Sequence, residues 1–290
     1  MGDVLLDAHV HLLQTDIDYP WMVDELARSL KTHLKAELDL EFCSHNVIGG
    51  VAVQAIGDVR ETQMLLALAT KSPTIIGVVG WIDLASPRCA EDLVTLVEGP
   101  GGERLVGVRH QTHDEDDPTW LLRPNVLRGL EHLAAVGLAF DLLIRPRELT
   151  AACALASALP HLTLVVDHVA KPLVSPPTMA GWRDELALLA SNPNVFCKLS
   201  GLVTESVPLG EWTSEQLEPF FAIALDIFES PRCMFGSDWP VCRLAASYTQ
   251  VVELATAALA TLSSTQRHDV LYGSAIRAYK LKLPDAYIGD

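Results

Sequence analysis

The sequence predicts an α/β protein built as a single (β/α)8 TIM barrel of 290 residues. Eight short apolar segments recur along the chain, helical patterns lie between them, and the length suits a barrel, which needs about 250 residues. The segments are unbroken apolar runs rather than strict alternations, as expected of parallel strands covered on both faces. Strand and helix alternating eight times implies a parallel sheet with crossover helices.

The candidate strands are residues 4–8, 47–54, 75–81, 105–109, 138–144, 162–167, 195–199 and 233–236. Between them, 60–70 carries Met64, Leu65, Leu68 and Ala69 at helical spacing, and Pro87 opens a second helix through Val97 as a first-turn proline. Residues 124–136 place Leu127, Leu130, Leu133 and Ala134 on one face, and Gly137 stops them. Helical patterns continue over 146–159, 182–190, 213–228 and 248–262, and 263–266 reads as a capping box opening a last helix. No linker or repeat interrupts the alternation, so 1–290 reads as one barrel domain. Residues 14–45 form a long first loop plus helix containing Asp18-Tyr19-Pro20-Trp21. Such a loop either packs as a surface excursion or covers the C-terminal face of the barrel as a lid or substrate wall.

Composition excludes several function classes. Twenty-one Lys and Arg against 37 Asp and Glu leave a formal charge of −16, unsuited to gripping a phosphate backbone. The longest apolar runs fall far short of the about 20 residues that span a bilayer. The start, Met1-Gly2-Asp3-Val4, has no basic patch ahead of a hydrophobic stretch, so no signal peptide is expected. Six cysteines without a C-x-x-C pair read as reduced core thiols of a cytoplasmic protein.

In a barrel, chemistry sits where strands end at the C-terminal face. The first strand ends Asp7-Ala8-His9-Val10-His11. Histidines two apart project the same way from a strand and can converge on one metal ion or substrate oxygen. Asp7, also in phase with them, either orients His9 or caps the strand. Gln54, Trp81 and Asp83 end the next two strands, as substrate-wall residues or as loop starts. Strand four ends Val108-Arg109-His110, where Arg109 suits an anionic or hydroxylated ligand or pairs with Asp141. Asp141 itself is expected to be partnered internally. His168 at the sixth strand end is a ligand or acid/base candidate, with Lys171 near it, and Lys198 inside the seventh strand needs Asp141 or a ligand as partner. Strand eight ends Phe235-Gly236-Ser237-Asp238, where Gly236 permits close backbone approach and Asp238 is placed to take a proton from water.

Taken in this order, H-x-H, His168 and Asp238 resemble the amidohydrolase superfamily. With 18–21, 53–55, 107–110, 166–172 and 235–240 added, the chain is similar to its sugar lactonase subgroup. The resemblance implies hydrolysis of an aldonolactone to its hydroxy acid, with Asp238, His168, His9 and His11 catalytic and Arg109, His110, Gln54, Trp81 and Lys171 binding substrate. It also implies either one divalent ion, zinc, on His9, His11 and Asp238, or none. Arg109 and Asp141 stand where binuclear relatives carry bridging and histidine ligands, which argues against a second metal. A metal-dependent decarboxylase of an unsaturated or aromatic acid is the alternative. No G-x-S-x-G is evident, which disfavours an acyl-enzyme. The expected partner is a small sugar lactone, with no nucleic acid or membrane, and homo-oligomerisation is left open.

Overall fold

The computed structural model describes residues 3–33, 35–174 and 179–283. Eight parallel strands follow one another around the sheet in chain order. They are β1 (Leu5–Val10), β2 (Val47–Val53), β3 (Ile75–Gly80), β4 (Leu105–His110), β5 (Ala139–Leu142), β6 (Leu164–Val166), β7 (Val195–Leu199) and β8 (Cys233–Phe235). Each expected segment holds a strand, with ends moved by at most two residues.

The helices outside them are α1 (Glu25–Ser29), α2 (Lys35–Ser44), α3 (Val59–Lys71), α4 (Cys89–Glu98), α5 (Pro124–Val136), α6 (Leu149–Ala158), α7 (Ala180–Ala190), α8 (Ser214–Phe228), α9 (Tyr248–Ala258), α10 (Ser264–His268) and α11 (Ser274–Tyr279). Local chemistry sets their ends. Proline at the first position opens α5, and Gly137, left-handed at φ 75°, returns its N–H to the Ala134 carbonyl. Capping boxes of Thr213 with Gln216 and Ser263 with Gln266 open α8 and α10. Pro87 falls outside α4 rather than in its first turn. Ser86 uses its hydroxyl to accept from Arg88 N and its carbonyl to accept from Cys89 N, making a turn around the proline.

Alternate strand residues serve two cores, which is why the strands read as continuous apolar runs. Val108, Phe140, Leu142, Val166, Cys197 and Leu199 join the large cluster between sheet and helices. Leu6, Ala8, Val79, Ala139, Val165 and Met234 fill the barrel, where Tyr279 and Leu281 from the C-terminal segment join them. On the inward faces of β5 and β7, Asp141 and Lys198 are fully buried. A layer of charge therefore lies within the apolar interior.

The barrel closes where β8 meets β1. Val10 and Trp239 form a parallel bridge, His11 N donates to the Trp239 carbonyl at 2.6 Å, and Asp238 N donates to the His9 carbonyl at 2.9 Å. Asp7 clasps the same seam. Its carboxylate accepts from Ser237 N at 2.8 Å, His9 N at 3.1 Å and the Tyr248 hydroxyl at 3.0 Å. Burial pushes this carboxyl up to about 6 despite those bonds. The expectation that Asp7 shares the phase of His9 is corrected here. The β1–β2 register shifts between Asp7 and Val10, so Asp7 reaches α9 while His9 faces the interior. Asp7 touches the backbone of His9, not its ring.

Candidate active site

A cleft of about 180 Å³, partly open to solvent, lies at the C-terminal face of the barrel. His11, His168 and Asp238 line it, with Arg109 and Lys171 beside them. His9 lies beneath, with no exposed surface.

The histidines and Asp238 converge. Asp238 Oδ1 lies 3.4 Å from His11 Nε2, 3.7 Å from His9 Nε2 and 4.0 Å from His168 Nε2. The two strand-one rings face each other, Nε2 to Nε2, at 3.2 Å. The Val53 carbonyl, 2.8 Å from His11 Nδ1, can only accept, so it holds a proton on Nδ1 and turns Nε2 toward Asp238. Ser200 Oγ holds His168 Nδ1 at 2.8 Å. Burial depresses both His9 and His168 well below the ordinary histidine value, so both are neutral. Burial alone would raise the Asp238 carboxyl, but His168, His11 and Lys171 hold it below its ordinary value.

Below this group lies a closed charge network. Lys198 Nζ reaches Asp141 at 2.5 Å, Asp167 at 2.9 Å and His9 Nδ1 at 3.1 Å. Asp141 also accepts from the Tyr279 hydroxyl at 2.9 Å. Arg109 pairs with Asp167 at 2.9 Å rather than with Asp141, donates to the Gln54 carbonyl, and lies 3.3 Å from His9 Nε2. Lys198, His9 and Arg109 hold Asp167 well below the carboxylate range despite its burial. Two cations thus match two carboxylates. Asp238 lies outside this network among the three imidazoles, and Lys171, which also lowers it, is itself paired with Glu205 at 2.7 Å.

This donor set fits a divalent cation. His9, His168 and Asp238 each offer a ligand atom within 4.8 Å of one another, and His11 Nε2 adjoins two of them. A tetrahedral zinc ion holds its ligand atoms about 3.3 Å apart, close to the 3.2 and 3.4 Å edges at His11. Arg109 and Asp141, consumed in ion pairs, are not free to hold a second ion.

Three expected substrate residues lie away from the cleft lining. Gln54 is fully buried, and its carboxamide bonds the Arg109 carbonyl and the Gln111 side chain. His110 stacks on Trp120 with centroids 4.0 Å apart and bonds Glu115. Trp81 gives its indole N–H to His110. For His110 strand alternation explains this, since Arg109 pointing inward sends it outward. The cleft instead takes Trp21, Ala55, Gln111, His113, Asp114, Leu143 and Val241 from the loops. Trp21 lies in the aromatic turn of the long first loop, for which the sequence leaves a surface excursion and a substrate wall both open, and it lines the cleft. For the others, loop position gave no signal.

The backbone that carries His168 is unusual. His168, Val169, Ala170 and Lys171 are all left-handed, with φ of 53°, 54°, 59° and 46°, a conformation costing L-residues about 1–2 kcal/mol each. Trp182 donates to the Val169 carbonyl, and the Lys171–Glu205 pair ties down the far end. Gly201, at φ 67°, lets β7 pass beside the ring, because a Cβ there would sit 2.4 Å from His168 Nδ1. Gly201→Ala is therefore expected to expel His168 from the cluster. It should cut both turnover and zinc uptake by tenfold or more while leaving far-ultraviolet circular dichroism unchanged. Metal analysis and kcat/KM on the folded variant check this.

A family model described as Amidohydrolase matches residues 6–281. A protein named L-fucono-1,5-lactonase from Burkholderia multivorans is 35% identical, with 98% of each chain covered. A second of that name, from Burkholderia ambifaria, is 34% identical over 84% of this chain and 82% of its own. An amidohydrolase structure from Burkholderia multivorans, described with bound zinc, superposes with a TM-score of 0.90 at 35% identity, covering 97% of this chain and 100% of that one.

Proposed function

The chain belongs to the amidohydrolase family, and on that footing we propose that it hydrolyses an aldonolactone to the open hydroxy acid, with L-fucono-1,5-lactone the first substrate to assay. The observation that carries this is the placement of one carboxylate, Asp238, within 4.0 Å of three imidazole Nε2 atoms on the floor of an open cleft.

The lactone carbonyl is received over His11 and His168, with Lys171 at the rim. Asp238 takes a proton from a water molecule as that water adds to the carbonyl carbon. Negative charge gathers on the carbonyl oxygen, where the imidazoles face it. The carbon–ring-oxygen bond then breaks, and protonated Asp238 returns the proton to the departing oxygen. Water and lactone thus give one hydroxy acid. His9, His11, His168 and Asp238 would hold a zinc ion, which supplies Lewis-acid polarisation of the carbonyl when bound. Lys198 and Asp167 fix the His9 ring from below.

None of the described helices is long and apolar enough to cross a membrane. The cysteines are free, and five of the six are buried, which supports a reducing, cytoplasmic setting.

The test is a panel of aldonolactones followed by acid release with a pH indicator, run with and without a chelator, beside a carbon dioxide assay on hydroxybenzoic acids. Acid release on the lactones alone is expected. Carbon dioxide release without lactone opening would replace this function with decarboxylation. Loss of activity in chelator, restored by zinc, is the expected metal response.

A further inference from the structure

Gln111 lines the cleft, yet the reaction outlined above makes no use of it. It is half-buried and stands just after β4. Its carboxamide is paired with that of Gln54, which follows β2 and is wholly buried. Gln111 Nε2 donates to Gln54 Oε1 at 2.8 Å, and Gln54 Nε2 donates to Gln111 Oε1 at 3.3 Å. Because β3 separates β2 from β4 in the sheet, this pair reaches past the end of an intervening strand.

The main chain sets the direction of the pair. Gln54 Nε2 also donates to the Arg109 carbonyl at 3.0 Å. A carbonyl can only accept, so the nitrogen of the Gln54 amide faces it, and a turned amide would set oxygen against oxygen. With Gln54 fixed, its Oε1 calls for the nitrogen of Gln111 and its second N–H calls for the oxygen, so Gln111 is fixed as well. The backbone of Gln54 is held in turn, its N–H by the Val79 carbonyl at 2.8 Å and its carbonyl by the Arg109 guanidinium. Both amide hydrogens of Gln54 are therefore spent inside the protein. Gln111 keeps one N–H and one oxygen lone pair without a partner among the described residues, on the edge turned away from Gln54.

A hydroxyl both donates and accepts. An N–H and an oxygen side by side suit one hydroxyl or two adjacent ones, and groups already held in place lose little freedom on binding. We propose that Gln111 binds a ring hydroxyl of the substrate, and that Gln54 is a positioning residue that presents the Gln111 amide to the cleft with donor and acceptor in set places. This rests on the lactonase function proposed above, and it moves Gln54 one step back from the direct substrate contact implied by the sequence.

The experiment measures kcat/KM on L-fucono-1,5-lactone and on δ-valerolactone, the same lactone ring bare of substituents, for native enzyme, Gln111→Leu, Gln54→Met and the double variant. Gln111→Leu is expected to lower the ratio of the first to the second about tenfold, the scale of one hydrogen bond. Gln54→Met keeps Gln111 but frees its amide to turn, and it should lower the same ratio by about threefold, part of that bond. In the double variant Gln54→Met should add nothing to the loss in ratio, since no amide remains to be positioned. A structural role alone lowers both activities together and leaves their ratio as it was. Gln111→Leu alters a half-buried loop residue, so it decides the matter by itself if thermal melting shows Gln54→Met to be poorly folded. An unchanged ratio in Gln111→Leu overturns the proposal, and so do losses in ratio that multiply in the double variant, while lactone hydrolysis stands in either case. Failure to open any lactone on the panel removes the lactonase function and this proposal together.

Discussion

Asp238→Asn is expected to lower kcat/KM on the lactone by at least 10²-fold, the usual cost of removing a general base, without unfolding the barrel. The amide keeps the size of the side chain, and the backbone of residue 238 remains held by the His9 carbonyl. It loses the oxygen charge that accepts the proton and that balances a bound cation, so zinc affinity should fall in the same variant. A variant retaining more than about a tenth of native kcat/KM would remove Asp238 from this role. The imidazoles and Lys171 hold the carboxyl below its ordinary value of 3.8. Asp238 therefore stays ionised as the pH falls to that value, and the acid limb of kcat/KM that belongs to it is expected below 3.8.

Lys198→Met is expected to be the most damaging substitution for stability. The ammonium is wholly buried and is shared by Asp141 and Asp167, which are also wholly buried. Methionine is one atom shorter and apolar, and it leaves two carboxylates in the barrel with Arg109, the His9 ring and the Tyr279 hydroxyl to answer them. Stranding a buried charge in this way costs about 3–5 kcal/mol. Urea unfolding of native and variant protein measures it, and a loss under about 1 kcal/mol would show that Asp141 takes up a proton at little cost. Adding Asp141→Asn to Lys198→Met removes one stranded charge and should recover part of the loss. The single variant should also bind zinc less tightly, since Lys198 stands against the Nδ1 face of His9.

Most of the chemistry was legible because polar residues interrupting buried strands are costly and therefore conspicuous. His9, His11, His168, Asp141, Lys198 and Asp238 all stood out in this way, and their partners lie among one another. Gln54, Trp81 and His110 stood out by the same rule but lie away from the cleft lining. A strand end gives a residue's height in the barrel but not the side to which it points, and the inward placement of Arg109 turns His110 outward. Asp7 was misjudged because a register shift is invisible in a single strand's sequence. The left-handed run from His168 to Lys171 was not legible either. A β-branched residue such as Val169 argues against that conformation, and only the tertiary contacts of Trp182, Glu205 and Ser200 impose it. Trp21 was visible as part of a covering turn. Val241 and His113 sit in loops, where neither periodicity nor burial marks a residue for function.

His9 and Asp238 come from opposite ends of the chain, and their main chains are joined to each other where β8 meets β1. Assembly of the candidate site and the last stitch of the cylinder are thus one event. A refolding chain regains helix and most of its ladder from neighbours in sequence, but it gains chemistry only when its first and last strands find each other, a step made slow by their separation. Recovery of turnover should therefore trail recovery of circular dichroism, and nicks that spare every catalytic residue but let the termini part should silence the enzyme.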